Sequence, residues 1–239
     1  MARNLQAGPL DKTADPPVDA PAMRHLLLPT LLLALPACAT APRAEDLSAY
    51  PGALVGTYDN AAQYAQAPDD LKRPPISDDT YDWIDQQTVT FSMVAVPALG
   101  PAVVYAQWRG GDGTVRRRRL WAFRREGARV QIEVYTLPDR AAGESGTDAA
   151  ALAALGVSDV GGYGPACALT VTSSSVAAWN AQTDPDTCTT SQGGRALAID
   201  VRVTVMPTGV LYQEAGRWSE GGYAFRTPGG APYDFRRRP

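Results

Sequence analysis

The stretch PAVVYAQWRGGDGTVRRRRLWAF, residues 101–123, decides the fold of this chain. Two runs rich in Val, Tyr, Trp and Phe flank a short polar segment that contains Asp112-Gly113. Such residues favour strands, and glycine adopts the positive φ of a tight turn without a Cβ clash. The stretch therefore predicts two antiparallel strands joined by a hairpin turn.

The same pattern continues towards the C-terminus. Further apolar runs, separated by Gly, Pro, Asp and Asn, are RVQIEVYTL, ACALTVTS, RALAIDVRVTVM and GGYAFRT. Glu126-Gly127 marks a second hairpin turn. Many short strands with turns between them predict a mainly β domain, either a sandwich or a barrel. We expect an antiparallel barrel, because closure removes the exposed strand edges that invite aggregation.

Two segments have helical spacing instead. Residues 53–68 place Leu54, Tyr58 and three alanines on one side, and residues 146–156 are alanine-rich and closed by Gly156. We therefore expect one or two short helices beside the barrel. Residues 50–239 contain no repeat of fixed period and no long linker, which predicts one domain.

Residues 23–38 have the three parts of an export signal. Arg24 and His25 are followed by an apolar core that is too short for a bilayer span, and small residues precede Cys38. The sequence LPAC resembles the box of bacterial lipoproteins, in which the cysteine is acylated and becomes the first residue. An ordinary cleaved signal, or an apolar N-terminal helix with an incidental cysteine, remains the alternative.

The leader also predicts the organisation of the residues that precede and follow it. Translation is expected to begin at Met23, since residues 1–22 have no apolar periodicity and are interpreted as a non-native or disordered extension. Residues 39–49 would form a tether. Ala39, rather than Asp, follows the cysteine, which by analogy favours the outer membrane facing the periplasm.

Composition excludes several function classes. The net charge of -3 and the pI near 5.2 provide no basic field for nucleic acid. His25 is the only histidine and lies in the leader, so Ser-His-Asp catalysis, Cys-His catalysis and histidine-based metal sites are all excluded for the domain. No glycine-rich phosphate loop is present, and we expect no metal.

Cys167 and Cys188 are the cysteines of the domain. In an exported protein they are expected to form a disulfide, which for a loop of this size stabilises the fold by ~3 kcal/mol. The alternative is a reactive thiol that carries a substrate or cofactor.

The arginine-rich run offers a candidate ligand site. Alternation places Val115, Arg117, Arg119, Trp121 and Phe123 on one face of a strand. If that face points into the barrel, its two guanidinium groups suit a ligand with paired carboxylates. The alternative is a solvated stripe, or arginines paired with acids such as Glu133 and Asp139. On the neighbouring strand, Tyr105 and Gln107 would orient a polar edge of the ligand.

Three stretches together resemble the CpcT/CpeT family of chromophore lyases. LVGTYDNAAQYAQ, residues 54–66, is similar to the family's opening pattern through Leu54, Gly56, Tyr58, Asn60 and Gln63. The strands VVYAQW, RRRRLWAF and VQIEVYTL are similar to the family's Tyr-x-Gln strand and its successors, although Ala106 stands where the family usually has Glu. The half from Cys167 onward ends in Tyr233, Phe235 and Arg236, which match the family's closing Tyr-x-Phe-Arg.

The resemblance covers roughly residues 50–239 and implies a barrel of calycin type, open to a hydrophobic ligand. It implies a lyase that holds a bilin, a linear tetrapyrrole, and attaches it to a cysteine of an acceptor protein, with the bilin as substrate and no permanently bound cofactor. Tyr58, Asn60 and Gln63 then become candidate ligand-binding residues, although a structural role fits them equally well.

Two other functions stay open. The barrel could bind a hydrophobic ligand in the envelope without catalysis. Alternatively, it could be a structural lipoprotein whose interior is filled by side chains.

Overall fold

The computed structural model describes residues 47–72, 83–137, 148–172, 175–184 and 187–239. The predicted extension, the leader with Cys38 and the tether up to residue 46 lie outside these residues. Within them, three short helices are α1 Ala49–Leu54, α2 Ala61–Gln66 and α3 Ala149–Ala153. The strands are β1 Gly56–Asp59, β2 Gln87–Val96, β3 Gly100–Gly110, β4 Val115–Glu126, β5 Arg129–Thr136, β6 Gly161–Gly162, β7 Leu169–Val171, β8 Trp179–Gln182, β9 Thr189–Gln192, β10 Arg195–Met206, β11 Gly209–Trp218, β12 Tyr223–Arg226 and β13 Tyr233–Arg237.

Ten of these strands close into an antiparallel barrel. Their order is β11, β13, β1, β2, β3, β4, β5, β7, β8 and β10, and β10 pairs back onto β11 along the hairpin that joins them. The predicted fold class, a mainly β lipocalin-like barrel, is confirmed. Closure satisfies the backbone hydrogen bonds that a strand edge would leave open.

The β10–β11 hairpin is longer than the barrel wall. Near its turn it pairs with β8 and β13, whereas its far part pairs with β9 on one side and β12 on the other. These four far segments, residues 189–192, 195–200, 215–218 and 223–226, are called the hairpin extension below.

Alternation along β4 separates two apolar clusters. Trp121 and Phe123 point into the barrel, where they join the main core. Leu120 and Ala122 point outward and pack with Leu152 of α3. The strand is therefore buried on both faces, and its odd-numbered residues face the interior as the pattern predicts.

The predicted hairpin turns and the disulfide are present. Gly113 lies in the turn between β3 and β4, and Gly127 lies in the turn between β4 and β5. Their φ angles are 78° and 57°, positive values that glycine adopts readily. Cys167 and Cys188 form a disulfide with 4.4 Å between their Cα atoms.

The prediction of one helix over residues 53–68 is wrong. Residues 56–59 form β1 between α1 and α2, because they pair with β2 and with β13. Gly56 has a φ of 148°, whereas residues of an α-helix have a φ of about −60°. The split raises the number of short helices in the described chain from the expected one or two to three.

The helix expected at 146–156 is confirmed in its centre as α3. The carboxylate of Asp148 accepts hydrogen bonds from the N–H groups of Ala150 and Ala151 and so caps its start. Gly156 does not close the helix in a left-handed conformation, because its φ is -90° and it begins the next turn.

The inside of the barrel has two different halves. In the packed half the interior is filled by side chains, and its largest members are Tyr58, Phe91, Phe123, Trp179 and Phe235. Phe91 contacts Tyr58 edge-on at 5.9 Å and Phe123 contacts Trp179 edge-on at the same distance. In the open half, the same strands surround a cavity.

The helix α1 lies at the packed half. Trp179 Nε1 donates a hydrogen bond to the carbonyl of Tyr50 at 3.1 Å, and Leu54 is fully buried in the core. Leu47, from the predicted tether, also packs against this core. In the part of the chain described here, no helix has the length and apolar character to cross a membrane.

Candidate functional site

The open half of the barrel contains a cavity of about 640 Å³, which lies within the usual range of small-molecule sites. Its walls come from the inner faces of β3, β4, β10 and β11, from the loop before Cys167 and from the hairpin extension. The main lining residues are Trp108, Arg117, Arg119, Trp121, Tyr163, Leu169, Leu197, Ile199, Val201, Tyr212, Glu214 and Phe225.

Arg117 enters the cavity already paired. Its Nη1 lies 2.6 Å from Glu214 Oε1, and its guanidinium lies 5.8 Å from the centre of the Trp108 ring. The hydroxyl of Tyr212 donates to the other carboxylate oxygen of Glu214 at 2.5 Å. Both partners of the ion pair are largely shielded, with side-chain exposures of 35% and 17%. The positive charge of Arg117 is therefore balanced by the protein itself.

This network shifts the pKa values of its members. The carboxylate of Glu214 raises the pKa of Arg117, so the arginine stays charged. Burial, and secondly the charge of Glu214, raise the pKa of Tyr212 well above its usual value. Tyr212 is consequently a neutral phenol at physiological pH and keeps Glu214 in place as a hydrogen-bond acceptor.

Arg119 enters the same cavity without a counter-ion. Its Nη1 donates to the backbone carbonyl of Arg118 at 2.9 Å, and no carboxylate among the described residues forms an ion pair with it. Burial, and secondly the charge of Arg117, lower its pKa. Since an unpaired, half-buried cation is unfavourable, the guanidinium of Arg119 is chemically suited to an anion.

Aromatic and aliphatic side chains form the rest of the wall. Trp121 packs edge-on against Phe91 at 5.5 Å, and its Nε1 finds no hydrogen-bond acceptor among the residues that the structure describes. Phe225 lies against Gly216, where a Cβ would come within 2.6 Å of the ring. The glycine thus gives the Phe225 ring room to lie close to the sheet.

Two predicted ligand-binding residues lie on the other side of the wall. Tyr105 belongs to the outer apolar cluster, and its hydroxyl accepts a hydrogen bond from Gln107 Nε2 at 2.8 Å. Arg109 Nε donates to Gln107 Oε1 at 3.0 Å. Their parity on β3 is opposite to that of Trp108, so they share a face but not the face of Arg117 and Arg119.

Three further predicted residues hold the chain together away from the cavity. Tyr58 donates to the carbonyl of Leu54 at 2.8 Å. Asn60 Nδ2 donates to the Asp85 carbonyl at 2.8 Å, and its Oδ1 accepts from the Gln87 N–H at 2.7 Å.

Gln63 likewise joins distant parts of the chain. Its Nε2 donates to the Pro232 carbonyl at 2.9 Å and its Oε1 accepts from the Asp234 N–H at 3.0 Å. These bonds attach α2 to the segment that enters β13. Tyr58, Asn60 and Gln63 therefore have the structural role that the sequence allowed as the alternative to ligand binding.

Sequence reasoning missed the partner of Arg117. Glu133, one of the expected acids, instead pairs with Arg124 at 3.2 Å on the outer face, and Asp139 lies outside the described residues. The actual partner, Glu214, belongs to the run GVLYQEAGRW, which was not recognised as a strand. Its alternation of Val210, Tyr212 and Glu214 on one face was the available signal.

The described residues contain no group of three His, Cys, Asp or Glu side chains that could hold a metal ion. The cavity chemistry they offer is that of one unpaired guanidinium, one Arg–Glu–Tyr network and an apolar, aromatic surface.

Comparison with known proteins finds a similarity in structure but no match in sequence. No protein-family profile matches it, and neither does any curated protein. Among solved structures it is similar to the T-type phycobiliprotein lyase CpeT from Prochlorococcus phage P-HM1. The similarity has a TM-score of 0.43 and 10% sequence identity, and covers 81% of this chain and 98% of that one.

Proposed function

We propose that the open half of the barrel binds an elongated ligand with a conjugated apolar body and a carboxylate, of the linear tetrapyrrole class. Arg119 binds the carboxylate, and the apolar body lies against Trp121, Ile199 and Phe225. The observation that carries the proposal is a half-buried guanidinium that has no counter-ion among the described residues, in a cavity of adequate size.

The same observation argues against a purely structural barrel. An interior filled by side chains fits the packed half, but the open half retains the cavity and its arginine. A cation in such a position costs free energy unless an anion neutralises it, and binding is the use that offsets this cost.

Titration of the purified full-length chain with biliverdin, followed by absorbance and by quenching of tryptophan fluorescence, tests the proposal. We expect saturable binding, and we expect Arg119→Met to raise the dissociation constant about tenfold or more. This is the usual effect of removing a hydrogen bond to a charged group. Arg118→Met is the matched control, because Arg118 lies on the same strand with its side chain on the outer face. Equal losses in the two variants, or no binding by the unmodified chain, would contradict the proposal.

Attachment of the bilin to a cysteine of an acceptor protein is the second candidate function. The sheltered cavity favours it, because addition of a thiol across an exocyclic C=C bond of the bilin forms the S–C bond as the π bond breaks, and the proton of the thiol moves to the neighbouring carbon. The step needs positioning rather than a histidine. Incubation with a bilin that carries an exocyclic ethylidene group, together with an acceptor protein, tests it. Absorbance that stays with the acceptor after acid denaturation supports a lyase, whereas reversible binding alone supports a carrier.

We also propose that the chain is exported and anchored through a lipid on Cys38, at the outer membrane facing the periplasm. The support is the LPAC box and the apolar run before it. Metabolic labelling with a fatty acid in a bacterial host should label the chain, and Cys38→Ser should abolish both the label and the association with membranes. Labelling that persists in Cys38→Ser would refute the anchor.

A further inference from the structure

The cavity holds two arginines, and they are not equivalent. Arg117 is neutralised by Glu214, which Tyr212 holds from its other side, whereas Arg119 has no ion-pair partner among the described residues. The other acidic residue that borders the cavity is Glu133. Its carboxylate lies on the outer face, where it pairs with Arg124 and accepts a hydrogen bond from Tyr135. Among the described ionic groups of the cavity, the positive charge of Arg119 is therefore the one that is not compensated.

We infer that Glu214 is a resident counter-ion that sets the charge class of the ligand. It occupies Arg117, so the cavity binds one carboxylate, at Arg119, and any second carboxylate of the ligand stays outside this site. This inference rests on the proposed ligand-binding function and corrects the expectation that the two arginines bind paired carboxylates.

The geometry explains why a ligand does not simply displace Glu214. A second ligand carboxylate would have to break the contact between Glu214 and Arg117 and would leave the glutamate beside it in a shielded place. It would also compete with the hydrogen bond from Tyr212. An intramolecular partner that is already positioned does not lose the translational freedom that an incoming ligand loses.

The first test compares biliverdin, which has two propionates, with its monomethyl ester, using full-length protein. In the unmodified chain we expect dissociation constants within about threefold of each other. In Glu214→Gln, which keeps the shape but frees Arg117, we expect the diacid to bind about tenfold or more tightly than the monoester. Glu133→Gln is the matched control and should leave the ratio as in the unmodified chain.

Three outcomes overturn the inference. They are a tenfold preference for the diacid in the unmodified chain, an unaltered ratio in Glu214→Gln, and the same gain in Glu133→Gln. Glu214→Ala, which removes the same charge with different packing, should behave like Glu214→Gln and replaces it if that variant does not fold. Combining Arg117→Met with Glu214→Gln should abolish the gain.

A second measurement needs no bilin and separates the two proposals. Because Trp108 lies 5.8 Å from Arg117, freeing this arginine should draw iodide towards the indole. We expect Glu214→Gln to increase quenching of tryptophan fluorescence by iodide but not by neutral acrylamide, and Glu133→Gln to change neither. An increase without any bilin binding would refute the proposed function and retain the charge assignment, whereas no increase would overturn the assignment.

Discussion

The two halves of the barrel treat an arginine in opposite ways. At the packed half, Arg237 donates to the carbonyls of Val55 and Ala53 at 2.8 and 3.0 Å and lies over the Tyr58 ring, although it is largely exposed. At the open half, Arg119 is half-buried yet donates only to its neighbour's carbonyl among the described residues. The first arginine joins the end of β13 to α1, whereas the second has no carboxylate partner among the described residues.

The comparison shows that burial alone does not identify an arginine with a structural role. What distinguishes the two arginines is whether the chain supplies the acceptors that a guanidinium needs. The contrast extends to the apolar residues. Phe123 and Trp179 in the packed half contact each other edge-on, whereas Phe225 in the open half lies against a glycine and lines the cavity.

The largest expected effect distinguishes the halves by stability. Phe123→Ala should lower the free energy of unfolding by about 3–5 kcal/mol, because the side chain is fully buried and leaves a void. Phe225→Ala, at the cavity, should cost less than about 2 kcal/mol because it enlarges a space that already exists. Urea unfolding of both variants measures the difference, and equal costs would remove the distinction between the halves.

Tyr233 lies where the halves meet and should make stability depend on alkaline pH. It stacks on Phe235, and burial, followed by the charge of Asp85, raises its pKa to about 12. Below pH 10 both folded and unfolded chains keep the phenol protonated. As the pH rises from about 10 to 12, the unfolded chain ionises first, so stability should fall by about 1–2 kcal/mol.

The variant Tyr233→Phe should reduce this loss. Unfolding in urea at several pH values between about 9 and 12 measures it. Tyr163→Phe, which alters an exposed phenol at the cavity, serves as control. Parallel pH profiles for Tyr233→Phe and the unmodified chain would contradict the assignment.

Gly216 should control the width of the open half. A Cβ at this position would lie 2.6 Å from Phe225 Cε1, so Gly216→Ala should push the ring into the cavity. We expect about tenfold weaker binding of biliverdin, with a small loss of stability. Gly52→Ala, where a Cβ meets nothing within 4 Å, is the control, and a matching loss of affinity there would point to a nonspecific effect.

The smallest effect concerns the two arginines themselves. Arg237→Met should destabilise the fold by about 1 kcal/mol, because it removes the hydrogen bonds to the carbonyls of Val55 and Ala53. Arg119→Met should be neutral or slightly stabilising, because it removes a cation beside Arg117. Thermal or urea unfolding measures both, and a larger loss for Arg119→Met would show that this arginine has a structural partner.

Local patterns were sufficient for much of the barrel. Alternation correctly placed Arg119, Trp121 and Phe123 on one face of β4, which the structure shows to be the inner face, and glycines at 113 and 127 located two turns. The pattern failed at residues 53–68, because apolar residues four apart suit a helix in isolation, while the pairing of residues 56–59 with β2 and β13 outweighs that preference.

The candidate site was less accessible from the chain alone. Tyr105 and Gln107 were assigned to one face correctly. Alternation within a strand, however, does not show which residues of the neighbouring strand lie on the same side of the sheet. That requires the register, which sets Trp108 opposite Arg117 and Gln107 opposite Arg118.

By itself the sequence determined a mainly β domain with an arginine-bearing strand and two cysteines able to pair, since these follow from residue type and spacing within short segments. Only the tertiary structure decided that Glu214, almost a hundred positions from Arg117, neutralises one arginine, while the other has no counter-ion in the part of the chain that the structure describes. The physical reason is that charge compensation depends on distance in space, and closure of β10 onto β11 sets that distance.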